Sequence, residues 1–168
     1  MHTQRNQLLK EARRRNVILR RKGLITSAPP NRYLLVAGCF SMLAAVLHLG
    51  CIVFGGPWLR FLGAGEQMAQ MAEAGHWYPN AAALSIATVL SVWSLYAFSG
   101  AGTIRRLPLL RLALCAITGI YLLRGLAFAF LMPYFPGNST TFWIVTSAVC
   151  LSFGVVHLVG LKQEWSRL

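Results

Sequence analysis

The chain has 168 residues, of which 56% are hydrophobic and 12% are charged, and its formal net charge is +12. Soluble domains usually have about a quarter charged residues, so this composition argues against a soluble domain. It also excludes disorder over most of the chain, which requires low hydrophobicity, and a disulfide scaffold, which requires a cysteine-dense chain. A small integral membrane protein remains.

Residues 1–32 form a strongly basic tail. They hold nine of the 16 lysines and arginines and one acid, Glu11. Such a tail can bind nucleic acid, bind anionic lipid or fix the orientation of the membrane segments. No zinc-ligand spacing, helix-turn-helix or aromatic interleaving accompanies it. We therefore predict no nucleic-acid partner, and a cytoplasmic tail that contacts anionic lipid headgroups, with a basic surface helix over 7–22.

Four segments are apolar and long enough to cross a bilayer, which takes about 20 residues. Each is bounded by glycine, proline or charge, as expected for the ends of helices. The least apolar is the second, which carries Ser85 and Thr88, and we predict that it is buried among the others, with those hydroxyls facing inward. The predicted spans are 33–54, 80–98, 107–132 and 141–161.

The predicted fold class is therefore an all-α membrane protein, an up-down bundle of four transmembrane helices over 33–161. Counting cations fixes its orientation, because loops rich in Lys and Arg stay in the cytoplasm. Thirteen cations flank the spans on the side of the N-terminus, including those of the short tail 162–168, and only Arg60 lies on the other side. Both termini are predicted to be cytoplasmic.

The largest loop on the outer side covers residues 55–79. Met68, Met71 and Ala72 have helical spacing, which predicts a short amphipathic helix from about Gly65 to Ala74. One interpretation is a helix lying flat over the mouth of the bundle, with tryptophan and tyrosine at the membrane interface. The other is a lid over an outward-facing cavity that Glu66, Glu73 or His76 would line.

Four ionisable residues fall inside the predicted spans, where they are costly. A rise of about 1.5 Å per residue places His48 and Arg124 in the outer third and Arg111 and His157 in the inner third. Arg111 can extend its head to the cytoplasmic surface. Arg124 needs an acceptor, and the outer loop offers two carboxylates. We predict a structural tie between the third span and this loop, from Arg124 to Glu66 or Glu73 or to a backbone carbonyl.

The sequence favours no cofactor and no metal. The four cysteines fall inside predicted spans without a C-x-x-C pair, which disfavours thiol–disulfide chemistry. His48 and His157 lie at depths too different to ligate one haem iron.

Segments 56–58, 63–66, 75–79 and 121–126 (Gly-Pro-Trp, Gly-Ala-Gly-Glu, Gly-His-Trp-Tyr-Pro and Tyr-Leu-Leu-Arg-Gly-Leu) resemble small uncharacterised bacterial inner-membrane proteins. The resemblance covers about 33–161. It implies a four-span fold in the inner membrane and no particular activity.

Two functional hypotheses follow. The preferred one is a non-enzymatic accessory or interaction protein of the bacterial inner membrane, with a protein partner or a second copy of the chain. The alternative is a protein that binds or modifies a small ligand or lipid in an outward-facing cavity within the membrane. The residues expected to line that cavity are His48, Glu66, Arg124, Trp77 and Tyr121.

Overall fold

The computed structural model describes residues 4–7, 9–11, 14, 29–134 and 140–167, with the backbone alone at 129, 131 and 134. The chain divides into two units, residues 1–30 and 31–168. In the first, the described residues 4–7, 9–11 and 14 are helical. The remainder of the predicted tail helix over 7–22 lies outside the described residues.

The second unit consists of helices joined by turns and loops, and its described residues form no strand. Its first helix begins after Asn31, whose side-chain oxygen accepts a hydrogen bond from the backbone of Leu34 at 3.0 Å, an ordinary N-cap. It ends at Gly55, which has a positive φ of 64°. The helices are α1 (Arg32–Phe54), α2 (Gly56–Leu62), α3 (Glu66–Glu73), α4 (Trp77–Ala101), α5 (Leu110–Leu126), α6 (Phe128–Leu131) and α7 (Thr140–Glu164), with a 3₁₀ turn, Met132–Tyr134, after α6.

Within the described residues, three helices are long and apolar enough to cross a membrane: α1, α4 and α7. The third predicted span, 107–132, is divided. Its main helix, α5, has 17 residues, about 26 Å at 1.5 Å per residue, and stops before Ala127. It begins at Leu110 and not at the predicted position 107, because Leu109, which follows Pro108, has a φ of 53°, outside the helical range.

The long helices alternate in direction. Leu34 near the start of α1 packs with Ala101 at the end of α4, Leu110 and Leu114 in the first turns of α5, and Leu161 near the end of α7. A separate cluster at the opposite end joins Cys51, Leu59, Ala69 and Ala83. The main pairings are α1 with α4 and α5 with α7, and α1 also packs on α7.

The buried face of α4 differs from the one predicted. Ser85 and Thr88 are exposed, and the buried positions include Ala83, Ala87, Leu90, Ser94 and Ala97. Both exposed hydroxyls donate 2.8 Å hydrogen bonds to carbonyls one turn back in their own helix. Because they are satisfied locally, they have no need of a partner inside the bundle.

Candidate functional site

An arginine joins the two outer-loop carboxylates. Arg60 of α2 donates to both oxygens of Glu66, at 2.8 Å each, and to both oxygens of Glu73, at 2.5 and 3.1 Å. Gly56 makes room for this contact, because a Cβ there would collide with the Glu73 side chain. The Arg60 cluster, Arg60 with Glu66 and Glu73, therefore clamps α2 to α3.

The ion pairs shift the titration of both carboxyl groups. The hydrogen bonds from Arg60 lower the pKa of Glu66 from 4.5 to about 2, with a further contribution from Gln70. The Arg60 guanidinium also lowers the pKa of Glu73. The same contacts raise the pKa of Arg60. The cluster is exposed, so these charges hold the loop in shape at neutral pH without forming a reactive pair.

Arg124 does not form the predicted tie with Glu66 or Glu73. In the described structure its guanidinium donates to the hydroxyl of Ser147 at 3.4 Å and lies 5.0 Å from the ring centroid of Trp143, both on α7. Both carboxylates pair with Arg60 instead. Arg124 instead links α5 to α7 through a hydroxyl and an aromatic face.

The other outer candidates have separate environments. His48 Nδ1 donates to the carbonyl of Ala44 at 2.8 Å, one turn back in α1. Trp77, at the start of α4, is 75% exposed and has its edge near the ring of Tyr78. Trp58 donates its indole N–H to the carbonyl of Leu47 and so fixes α2 against α1.

Tyr121 lies at the centre of the bundle. Its hydroxyl shares a 3.0 Å hydrogen bond with that of Ser41 on α1. Its ring packs edge-on against Trp93 of α4, at 5.1 Å between centroids, and against Phe153 of α7, at 5.5 Å. Tyr121 therefore contacts all three of the other long helices, and we interpret it as a packing residue rather than the wall of a cavity.

His157 adjoins the same centre. It is fully buried, its ring lies 5.2 Å from that of Tyr121, and its Nδ1 donates to the carbonyl of Phe153 at 2.9 Å. Its Nε2 is buried without a hydrogen-bond partner among the described residues. The Arg111 guanidinium, at the same predicted depth, lies over Trp165 at 3.6 Å from the ring centroid.

A surface groove of about 560 Å³ lies beside Arg111. Ser99 shapes the loop that forms one wall, since its hydroxyl donates to the carbonyl of Arg105 and accepts from the backbone N–H of Leu107. The C-terminal segment forms the other wall. Residues that line this basic groove include Arg106, Leu107, Leu109, Arg111, Leu112 and Trp165.

The five residues predicted to share a cavity thus have different partners, and their described contacts do not join them in one site. Two features were missed. Arg60 lies six positions before Glu66, a spacing that a tight turn brings together, so the sequence held a local signal for it. The basic groove joins segments more than 50 positions apart, and no local pattern predicts that contact.

Comparisons with protein-family models, with curated proteins and with solved structures find no match for this chain. The functional conclusion therefore comes from the residues themselves.

Proposed function

We propose that the protein is a four-span protein of the bacterial inner membrane, with both termini in the cytoplasm. It acts without catalysis of its own, through contact with a partner helix in the bilayer. The observation that carries the role in binding is the small, exposed face of α4. The contacts around Asn31 support the even number of membrane crossings.

Helix ends support an even number of crossings. The backbone N–H of Asn31, before α1, donates to the carbonyl of Ala101 at the end of α4, and its side chain donates to Gln163 near the end of α7. These three helix ends lie together. Since α7 runs toward them, the chain between Ala101 and Thr140 has to return to the opposite end of the bundle.

The returning segment is α5 with α6. At 17 residues, α5 lies at the lower limit of spanning helices, about 17–25 residues. Arg124 near its end contacts Ser147 in the second turn of α7, at the end of the bundle away from Asn31. If α1, α4 and α7 cross the bilayer, α5 crosses it as well. The thirteen flanking cations then support a cytoplasmic location for Asn31.

The α4 face formed by Ala81, Ser85 and Thr88 is suited to a partner helix. Positions 85 and 88 are exposed, 81 is half-buried, and the spacing of four and three puts them on one side. The hydroxyls of Ser85 and Thr88 bond to carbonyls of their own helix, so these small side chains lie close to the helix backbone. Small residues let helices approach closely in lipid, where packing rather than the hydrophobic effect drives association.

Site-specific photo-crosslinking tests this role. A photoreactive amino acid at Ser85 or Thr88 in cells should give a discrete crosslinked product. The same amino acid at the exposed Val46 of α1 or Leu123 of α5 should give none. A product of twice the chain's mass would identify the partner as a second copy. Equal labelling at all four positions, or none at Ser85 and Thr88, would contradict the proposal.

Lipid binding is the second candidate function, and the basic groove favours it. The alternative predicted from sequence placed a binding cavity at the outer end of the bundle. The groove lies at the other end, with the Asn31 contacts.

A further inference from the structure

The basic groove combines two cations with an apolar floor. Arg106 and Arg111 contribute guanidinium groups, and Leu109 and Leu112 are 74% and 65% exposed beside them. Large apolar side chains next to arginines are typical of the boundary between the hydrocarbon core and the headgroup region. A ligand that fits needs one anionic group and one long apolar group.

Among the described residues that line the groove there is no carboxylate side chain. The nearest acid in sequence to Trp165 is Glu164, which is engaged elsewhere: it accepts from the Asn31 side chain at 3.3 Å and lies 3.7 Å from Arg167. No acidic side chain of the described lining neutralises Arg106 and Arg111 within the groove, and their positive charge is complementary to an anion.

Each arginine is held in place while keeping donors available. Arg106 uses one Nη to donate to the carbonyl of Arg167 at 2.6 Å. Arg111 lies flat on the indole of Trp165, and within the described residues its guanidinium forms no hydrogen bond or ion pair. Stacking on an aromatic ring leaves the N–H edge of a guanidinium free, and that edge matches the geometry of a phosphate.

The start of α5 adds partial positive charge at the same place. Leu109 precedes the helix with a φ of 53°, and no side chain caps the first turn. The first backbone N–H groups of a helix have no partner within it, and its dipole attracts anions.

We propose that the basic groove binds one anionic phospholipid, with its phosphate on Arg106 and Arg111 and an acyl chain along Leu109 and Leu112. This inference depends on the membrane location proposed above and not on the role of α4. Basic pockets at the cytoplasmic ends of transmembrane helices bind anionic headgroups in this way.

Native mass spectrometry of the detergent-purified full chain tests the site, with phosphatidylglycerol and phosphatidylcholine of identical acyl chains as probes. Phosphatidylglycerol should bind about tenfold more tightly, because its headgroup is a net anion, whereas the choline cation of phosphatidylcholine offsets the phosphate charge and is repelled by Arg106 and Arg111. The double variant Arg106→Gln/Arg111→Gln should remove that preference. The matched control, Arg105→Gln/Lys162→Gln, loses the same charge at the same end outside the groove and should keep it.

Three results would overturn the proposal: equal binding of the two lipids, equal loss in both double variants, or full displacement by inorganic phosphate, which would indicate a soluble anion. A phosphatidylglycerol with a photoreactive acyl chain needs no variant. It should label Leu109, Leu112 or Trp165 in the wild-type protein, and labelling spread over α1 and α4 instead would contradict the site. Neither measurement involves Ser85 or Thr88, so the proposal of a lipid site and the proposal of a partner helix are tested independently.

Discussion

The side-chain amide of Asn31 donates a 3.0 Å hydrogen bond to the side chain of Gln163, across 132 positions of sequence. Its other contacts reach the end of α4 and the first turn of α1. One asparagine thus joins three helix ends with its backbone and side chain, and buried amides are costly when such bonds are lost.

Replacing Asn31 should separate its two roles. Asn31→Ala should lower the free energy of unfolding by about 1–2 kcal/mol, since it removes both the N-cap and the bond to α7. Asn31→Ser keeps a cap but cannot reach Gln163, so it should recover about half of the loss. Denaturation in detergent measures both. If Asn31→Ala were as stable as the wild-type protein, the hydrogen bonds of the Asn31 side chain would not contribute to stability.

Close packing of α5 on α7 depends on Gly154. A Cβ at this position would lie 2.7 Å from a methyl group of Leu122 and 3.0 Å from its backbone nitrogen, so the two helices would have to move apart. Gly154→Ala should destabilise the protein by about 1–3 kcal/mol.

Gly119 provides the matched control. It lies in the middle of α5, and an added Cβ there meets nothing within 4 Å. Gly119→Ala should leave stability unchanged or raise it by up to about 1 kcal/mol, because alanine favours the helix. Unfolding of the two variants in the same detergent checks the pair, and similar effects would argue against the observed contact of α5 with α7.

The bond between Ser41 and Tyr121 is accessible to a double-mutant cycle. Tyr121→Phe and Ser41→Ala should each destabilise the bundle, with a coupling of about 0.6 kcal/mol, the average for such bonds in membrane proteins. Ser152→Ala removes an exposed hydroxyl that bonds only within α7 and should have little effect. Strictly additive single effects would mean that the two hydroxyls do not interact.

The Arg60 cluster should show in the titration of Glu66. Its carboxyl ¹³C resonance is expected to titrate with a pKa of about 2 instead of 4.5, because Arg60 stabilises the charged form. The stabilisation is complete above the unfolded pKa of 4.5, is lost as pH falls toward 2, and leaves neutral pH unaffected.

Arg60→Gln should return the Glu66 pKa toward 4.5, whereas Arg105→Gln, at the other end of the bundle, should not move it. The measurement is feasible because the chain has four glutamates and no aspartate. A Glu66 that titrates near 4.5 in the wild-type protein would contradict the ion pair.

Local signals in the sequence predicted the ends of two helices, α1 and α3, closely. The span 33–54 agrees with α1 to within one residue because Asn31 and Gly55 both act locally. The short helix expected over 65–74 is α3, Glu66–Glu73. In both cases a cap or a glycine beside the element carries the information.

Contacts between distant segments were not predictable in the same way. Ser85 was expected to face inward because polar groups seek partners, yet its own helix satisfies it. Arg124 was assigned to Glu66 or Glu73 because they are the only acids of the outer loop, but the turn at Gly63 and Gly65 brings both of them to Arg60. Helix rotation and side-chain pairing depend on tertiary packing, which periodicity does not specify.

Determining which side of the membrane holds residue 168 tests the account's central claim most directly. With the basic tail in the cytoplasm, four spans return Leu168 to the cytoplasm, whereas three spans, with α5 outside the bilayer, leave it in the periplasm. A reporter that fluoresces only in the cytoplasm, fused after Leu168, should be bright, and alkaline phosphatase fused there should be inactive. A dark reporter with active phosphatase would contradict the proposed four-span topology.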